Sequence, residues 1–355
     1  MLPLDQAKTV RPGESLDVEK ILDYLRTTLT GLDGPVRVHQ FHSGFSNLTY
    51  LITVGETELV LRRPPIGKKA KTAHDMNREY RILSALKPVF PYVPAPLHFC
   101  DDPAVMDVPF YVMERKQGVI LRKELPEELG LDAPGAGRLC RRWVEVLTDL
   151  HGLDYRECGL ADLGNPDGYV SRQVHGWSMR YRNARTDDVP DFEAVMSWLG
   201  ATMPADHLRP ALVHNDYKFD NVILDPADPT HITAVLDWEM ATIGDPLMDL
   251  GASLGYWVQP DDGDDLKLVR TLPTLAPGML TRRQIVDWYQ RTTGSVVENF
   301  AWYYCFGLFR LAVIAQQIYY RFYHDQTTDK RFSMLGMAVG ILEKAAVRVM
   351  ETGEY

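Results

Sequence analysis

The sequence predicts an α+β fold of two lobes, a small β-rich N-terminal lobe and a larger, mainly helical C-terminal lobe. Strand-like patterns dominate up to about residue 113, and helical patterns dominate from there to the end. A chain of 355 residues is also more typical of two lobes than of one continuous unit. We therefore expect an N-terminal lobe at residues 1–113 and a C-terminal lobe at residues 114–355.

The helices follow from capping residues and apolar periodicity. Asp17 can cap a first helix, in which apolar residues repeat at helical spacing. Further helices are predicted at residues 75–86, 137–152 and 191–199, and most of the chain from residue 247 onward is expected to be helical.

A polar loop interrupts two apolar strands within residues 41–50. Its small or hydrogen-bonding residues are Ser43, Gly44, Ser46 and Asn47. Gly44 permits close backbone approach and the other three offer donors, as a loop that covers phosphates requires. The same composition is also typical of an ordinary turn, so both interpretations stay open.

An apolar strand then ends in the cations Arg62 and Arg63, and Glu79 lies on an otherwise apolar face of the helix that follows. A carboxylate in such a place needs a partner, and Arg62 is the obvious candidate. Arg62 could then hold the α and β phosphates of a nucleotide, whereas Arg63 should point to the opposite face as a solvated residue. The alternative is a pair of ordinary exposed charges.

Residues 214–221, His-Asn-Asp-Tyr-Lys-Phe-Asp-Asn, suggest a phosphoryl-transfer site. Moving the γ-phosphoryl of ATP to an alcohol requires a group that positions the hydroxyl and accepts its proton, and ligands for Mg²⁺. Asp216 suits the first task, and Asn221 and Asp237 offer the oxygen ligands that Mg²⁺ prefers. Alone, His-x-Asp is more often a turn and an Asp after a strand is usually an N-cap. The three residues together favour the catalytic interpretation.

A predicted hairpin connects these residues. Residues 222–225 are expected to form a short strand, 226–230 a turn and 232–236 a returning strand. Asn221 precedes the first strand and Asp237 follows the second, so an antiparallel hairpin would place both at its open end. We expect them to share one metal ion.

The pattern His-x-Asp-x-x-x-x-Asn, followed by a strand and Asp, resembles the catalytic loop and metal-binding segment of the aminoglycoside phosphotransferase family. These are small-molecule kinases with a protein-kinase-like fold, and residues 243–250 resemble their next signature. The resemblance implies ATP and Mg²⁺ as cofactors and a brace from Asp249 to the backbone of the catalytic loop. It also implies that residues 1–113 are the nucleotide-binding lobe and residues 114–355 the catalytic and substrate lobe. Asp245, with Pro246 behind it, is expected to be a helix N-cap.

Two positions of the first lobe take their interpretation from this resemblance. The family usually has Lys where this chain has Arg62, which keeps the charge but is longer and planar. Residues 109–115 resemble the last strand of the small lobe as it enters the interlobe hinge. Backbone groups near Met113 and Glu114 would bind the adenine edge there, although Met113 alternatively belongs to the core.

A small alcohol is favoured over a peptide as the phosphate acceptor. Only twelve positions separate Asp237 from Asp249, which leaves no obvious room for the activation segment of a protein kinase. Trp238 and Glu239 also replace the Phe-Gly that would follow Asp in protein kinases. The alternative from another functional class is a nucleotide-binding pseudokinase or regulatory module without turnover.

The acceptor is suggested only by resemblance to one branch of the family. Residues 61–65 and 172–181 resemble the kinase-like domains fused to acyl-CoA dehydrogenases, a branch associated with hydroxyacyl substrates. Trp177, Arg180 and Tyr181 either line an acceptor pocket or belong to the core. The arginines of this region favour an acidic or CoA-linked acceptor over an aminoglycoside; they are Arg172, Arg180, Arg182 and Arg185.

Composition excludes several other classes. A net charge of −10 argues against general affinity for nucleic acid or an anionic membrane. The four cysteines lack metal-ligand spacing and are expected to be reduced thiols of a cytoplasmic protein. The apolar segment 300–320 contains Arg310 near its middle, which disfavours a membrane span and favours a buried helix. Nothing in the sequence predicts the oligomeric state.

Overall fold

The computed structural model describes residues 4–42, 47–65, 75–206, 209–327 and 329–355. The nine strands of the described chain are β1 (Val36–Phe41), β2 (Leu48–Val54), β3 (Thr57–Arg63), β4 (Pro96–Cys100), β5 (Phe110–Glu114), β6 (Ala211–Val213), β7 (Val222–Leu224), β8 (Ile232–Val235) and β9 (Thr242–Gly244). Its ten α-helices are α1 (Val18–Leu25), α2 (Met76–Leu86), α3 (Ala133–His151), α4 (Tyr169–Ala184), α5 (Glu193–Ala201), α6 (Pro246–Leu254), α7 (Asp264–Leu268), α8 (Arg282–Thr293), α9 (Phe300–Tyr323) and α10 (Leu335–Thr352).

The chain packs into two compact units, and neither is continuous in sequence. The first unit comprises Met1–Ile120, Val222–Asp228 and Ile232–Glu239. The second comprises Leu121–Asn221, Pro229–His231 and Met240–Tyr355. These units are defined by packing alone, so the functional boundary at residue 113 stays a prediction.

The first unit is built on a five-stranded antiparallel sheet with the order β1-β2-β3-β5-β4. Apolar residues of α1 cover one face of this sheet, and Asp17 caps the helix by accepting a hydrogen bond from the Lys20 amide. The β7–β8 hairpin forms as predicted, with Val222 opposite Val235. Local alternation and turn residues were therefore sufficient to place this hairpin.

The prediction that Arg63 is a solvated surface residue is wrong. Arg63 is only 6% exposed, and its Nη2 lies 3.6 Å from Asp107 Oδ1. It shares a face of β3 with Leu59 and Leu61, which belong to the apolar cluster beneath α1. The error arose because this face of the sheet, too, is covered by other parts of the first unit.

The second unit is mainly helical. The prediction of a buried helix near residues 300–320 is confirmed by α9, in which Arg310 is 3% exposed. Helices α6 and α9 are in backbone contact at Gly251, where a Cβ atom would lie 2.3 Å from the carbonyl oxygen of Tyr303. The β-rich N-terminal region and the mainly helical remainder confirm the predicted α+β class. Among the described residues, no helix is both long and apolar enough to cross a bilayer.

Candidate active site

Three of the predicted site residues meet in the first unit. Arg62 Nη1 lies 3.2 Å from Glu79 Oε1, and Arg62 Nη2 lies 3.0 Å from Asp237 Oδ1. The side chains of Arg62 and Glu79 are 10% and 2% exposed, so the pair is not a surface ion pair. The structure therefore places a fixed guanidinium between the α2 carboxylate and the aspartate that follows β8.

Burial opposes the charges of this pair. Desolvation lowers the pKa of Arg62, but the Glu79 carboxylate and Asp237 outweigh it, so the pKa rises well above its ordinary value. Burial raises the pKa of Glu79, and the nearby Arg62 works against that rise. Arg62 is consequently a permanent cation, and its planar fork reaches two carboxylates at once.

The predicted phosphate-covering loop is described only at its end. Ser43, Gly44 and Ser46 lie outside the described residues. Asn47 is 5% exposed, and its Nδ2 donates to Glu239 Oε2 at 3.0 Å. Asn47 is therefore engaged with a carboxylate of its own unit, and its proposed contact with a nucleotide stays a prediction.

The predicted hinge residues lie at the end of β5. Met113 is 7% exposed, and the Glu114 amide donates to the Ala95 carbonyl at 2.9 Å. The Glu114 carboxylate lies 2.9 Å from Lys116 Nζ and 3.2 Å from Lys87 Nζ. An adenine edge bound here would need backbone groups other than the Glu114 amide.

In the predicted catalytic segment of the second unit, every second residue is buried in the core. Tyr217 and Phe219 are buried against Trp143, with ring centroids 4.7 Å and 5.7 Å away. Asp216 and Lys218 alternate with these aromatic residues, and both side chains are 16% exposed. The alternating sequence thus directs the aromatic residues into the core and leaves the two charged groups together.

Asp216 has one engaged and one open carboxylate oxygen. Oδ2 accepts from Asn221 Nδ2 at 2.9 Å and lies 3.2 Å from Lys218 Nζ. Among the described residues, Oδ1 accepts no hydrogen bond. A substrate hydroxyl could therefore approach Oδ1 while Oδ2 keeps the carboxylate oriented.

Lys218 is a site residue that the sequence argument missed. Burial opposes its charge, but Tyr256, Asp216 and Asp220 outweigh this effect and raise the pKa of Lys218. Its Nζ also lies 4.8 Å from the centroid of the Tyr256 ring. The available signal was the apolar–polar alternation after Asp216, which places Lys218 on the same side of the segment as the aspartate.

Asp249 holds the backbone of the predicted catalytic segment, as the resemblance implied. Its Oδ2 accepts from the His214 amide at 2.7 Å, and its Oδ1 accepts from the Asn215 amide at 2.7 Å. His151 Nε2 lies 3.1 Å from Oδ2. Asp245 caps α6 through the Leu247 amide, which confirms the predicted N-cap.

The donor chemistry of Asn221 and Asp237 suits Mg²⁺. Asn221 uses Nδ2 to hold Asp216, and its Oδ1 accepts no hydrogen bond from the described residues. An amide oxygen and a carboxylate are the hard ligands that Mg²⁺ selects. No three His, Cys, Asp or Glu side chains cluster as a metal site in the described chain, so an ion would also need water or phosphate oxygens. A shared ion stays a prediction.

The suggested acceptor residues differ in their surroundings. Tyr181 is fully buried and donates to the Pro190 carbonyl, so it belongs to the core. Trp177 is 7% exposed, and its ring centroid lies 4.8 Å from the Arg180 guanidinium carbon and 5.0 Å from that of Arg310. Arg180 is exposed, and so are the other suggested arginines, Arg172, Arg182 and Arg185.

Known proteins resemble this chain over most of its length. The model of a family described as "Phosphotransferase enzyme family" matches residues 37–271. Acyl-CoA dehydrogenase family member 10 of Mus musculus is 32% identical over 322 residues, which cover 90% of this chain and 30% of the mouse protein. The chain therefore spans less than a third of that relative.

Solved structures show the same fold. A putative aminoglycoside phosphotransferase from Ralstonia eutropha has a TM-score of 0.79 and 27% identity, with coverage of 95% of this chain and 99% of that one. The GDP complex of aminoglycoside 2'-phosphotransferase-IIIa has a TM-score of 0.61 and 16% identity, with coverage of 92% and 98%. The predicted kinase-like fold is thereby confirmed.

Proposed function

Because the chain belongs to the phosphotransferase enzyme family, we propose that it is an ATP- and Mg²⁺-dependent kinase of a small molecule. The observation that carries this proposal is the geometry of Asp216. One of its oxygens is held by Asn221 and Lys218, and the other accepts no hydrogen bond from the described residues. This is the arrangement that a residue needs in order to orient an alcohol and take its proton.

Four polar residues of the proposed site then have distinct tasks. Asp216 binds the acceptor hydroxyl and accepts its proton as the oxygen attacks the γ-phosphorus. Lys218 holds one oxygen of Asp216 and offers positive charge beside the transferred phosphoryl group. Asn221 and Asp237 would hold Mg²⁺, which when bound neutralises charge on the phosphates.

Arg62 takes the place of the usual lysine in nucleotide binding. Its contact with Glu79 fixes the guanidinium, so its donors are already oriented when a phosphate arrives. One of these donors, Nη2, lies 3.0 Å from Asp237 Oδ1. We propose that the α and β phosphates of ATP share Arg62 with Glu79.

A hydroxyacyl compound is the proposed acceptor, and an aminoglycoside is the less favoured one. The mouse relative is an acyl-CoA dehydrogenase family member, and its alignment with this chain covers 90% of this chain. The exposed Arg180 supports an acidic acceptor, because a cationic aminoglycoside would be repelled by it.

ADP formation tests the proposal. Purified protein is incubated with MgATP and a panel of hydroxyacyl-CoAs, aminoglycosides, amino alcohols and sugars. We expect one acceptor class to raise turnover, and Asp216→Asn to lower that turnover about 100-fold or more. Asp264→Asn, at a fully exposed aspartate, is the matched control and should leave the rate unchanged.

Two outcomes would contradict the proposal. ATP binding without any acceptor-dependent turnover favours the alternative, a nucleotide-binding regulatory module. Undiminished ADP release by Asp216→Asn would refute the role of Asp216 even if the protein is a kinase.

A further inference from the structure

Asn215, the residue directly before Asp216, has an unusual backbone conformation. Its φ angle is 64°, in the left-handed region that most residues with a side chain avoid. Asparagine tolerates this region better than most residues, but it does not require it. The direction of the Asp216 side chain therefore depends on whatever holds Asn215 in place.

Four hydrogen bonds engage every polar group of Asn215. Its amide donates to Asp249 Oδ1 at 2.7 Å, and its Nδ2 donates to the Met240 carbonyl at 3.0 Å. Its carbonyl oxygen accepts from Arg310 Nη2 at 2.5 Å, and its Oδ1 accepts from the Tyr169 hydroxyl at 3.3 Å. The partners lie on α4, α6, α9 and the segment before β9, so one residue is tied to four parts of the second unit.

Arg310 is the least expected of these partners. It is 3% exposed, and among the described residues its guanidinium makes no ion pair with a carboxylate. A buried cation without a carboxylate is unfavourable, and an apolar side chain of similar length would fill the same space. The guanidinium also lies over the Trp177 ring and 3.5 Å from Met240 Sδ, so among the described residues the Asn215 carbonyl is the only oxygen to which it donates.

We propose that Asn215 and Arg310 are positioning residues that hold Asp216 in its reactive orientation. The proposal rests on the proposed function, since it assigns a role in presenting the base of that reaction. We call the hydrogen-bonded pair of Asn215 and Arg310 the clamp. Without the clamp, Asn215 can leave the left-handed region, and the Asp216 carboxylate moves with it. Small displacements of a catalytic group are costly, because the reacting atoms must be near and aligned.

Separate variants test the two sides of the clamp. Asn215→Gly accepts the positive φ without strain but loses both side-chain hydrogen bonds. Arg310→Met keeps the length and loses the donor, whereas Arg310→Lys keeps a donor and a cation. Arg282→Met is the matched control, because Arg282 is also buried, at 4% exposure, but pairs with Asp262 in another part of the unit.

Turnover and nucleotide binding should separate in these variants. We expect Asn215→Gly and Arg310→Met to lower kcat about 10- to 100-fold while the KM for MgATP stays within about twofold. Arg310→Lys should recover part of the lost kcat. Arg282→Met should lower the Tm without changing kcat.

Amide hydrogen exchange gives a readout that needs no acceptor. Exchange at residues 215–221 should accelerate in Asn215→Gly and Arg310→Met, and it should stay slow in Arg282→Met. Unchanged exchange together with unchanged kcat would overturn the proposal. If the wild-type protein forms no ADP, the proposed kinase function fails, and exchange still decides whether the clamp holds this segment.

Discussion

Asp249→Asn should destabilise the second unit strongly, although the substitution changes only one atom of the side chain. Asp249 is fully buried, and its two oxygens accept from the amides of Asn215 and His214, each at 2.7 Å. An asparagine keeps one oxygen and turns an NH₂ group toward the other backbone donor. One charge-assisted hydrogen bond is lost and one buried donor is left without an acceptor.

The expected cost follows from these two changes. A hydrogen bond to a charged group contributes about 1.5 to 3 kcal/mol, and an unsatisfied buried donor costs about 1 to 3 kcal/mol. We therefore expect Asp249→Asn to reduce the free energy of unfolding by about 2.5 to 6 kcal/mol at pH 7. The exposed Asp264→Asn should change it by less than about 0.5 kcal/mol.

The pH dependence of this loss has a definite sign. Burial opposes the charge of Asp249, but the hydrogen bond and charge of His151 and the His214 amide outweigh it and lower the pKa. A lowered pKa stabilises the folded state fully above the unfolded value of about 3.9, and this contribution disappears as the pH falls toward the folded value. The difference between wild type and Asp249→Asn should therefore shrink below about pH 4.

Urea unfolding of both proteins, followed by tryptophan fluorescence at pH 7 and at lower pH, measures these differences. A loss of less than about 1 kcal/mol at pH 7 would show that the two backbone hydrogen bonds do not depend on the charge. A difference that grows as the pH falls would refute the assigned direction of the pKa shift.

Three further predictions concern other parts of the chain. Gly251→Ala should lower the Tm by several degrees in a thermal scan, because its Cβ would lie 2.3 Å from a backbone oxygen. A Cβ on Gly340 meets nothing within 4 Å, so Gly340→Ala should leave the Tm unchanged. A thiol reagent added to the native protein should label Cys158 first, as measured by mass spectrometry. The other three cysteines are buried, and burial raises the pKa of Cys140 and Cys305 to about 12. Arg62→Met should cost about 3 to 5 kcal/mol in urea unfolding because it leaves Glu79 buried without its partner, and a second change, Glu79→Met, should recover most of that loss. Equal losses of Tm for the two glycine variants would contradict the first prediction, and rapid labelling of all four thiols the second. The third fails if the double variant recovers none of the lost free energy of unfolding.

Local signals were enough for the elements that carry the predicted catalytic residues. The β7–β8 hairpin follows from two short apolar runs with a Pro-rich turn between them, and Asp245 with Pro246 marks the start of α6. Helix α3 begins at Ala133 rather than at residue 137 because Asp132 supplies an earlier cap. These features depend on residues close together in sequence, which is why the sequence predicts them.

Contacts between distant residues could not be predicted in the same way. Arg310 and Asn215 are 95 positions apart, and no residue near Arg310 in the sequence indicates that it donates to the carbonyl of Asn215. The burial of Arg63 likewise depends on Asp107 and on an apolar cluster assembled from several strands and a helix. For Lys218, the alternating sequence predicts which side of the segment the side chain lies on, but it does not predict the residues that Lys218 contacts.

The β7–β8 hairpin has a consequence for how the protein is made. Val119 and Leu224 exchange both of their backbone hydrogen bonds, at 3.0 Å and 2.9 Å, and the Val235 amide donates to the Tyr92 carbonyl at 2.6 Å. The first unit thus needs a segment that the ribosome synthesises only after another hundred residues of the second unit. During that interval the backbone groups of Val119 and Tyr92 lack these partners, and a fragment of residues 1–120 would lack them permanently. Expression of the N-terminal unit alone therefore requires the hairpin to be grafted onto its end.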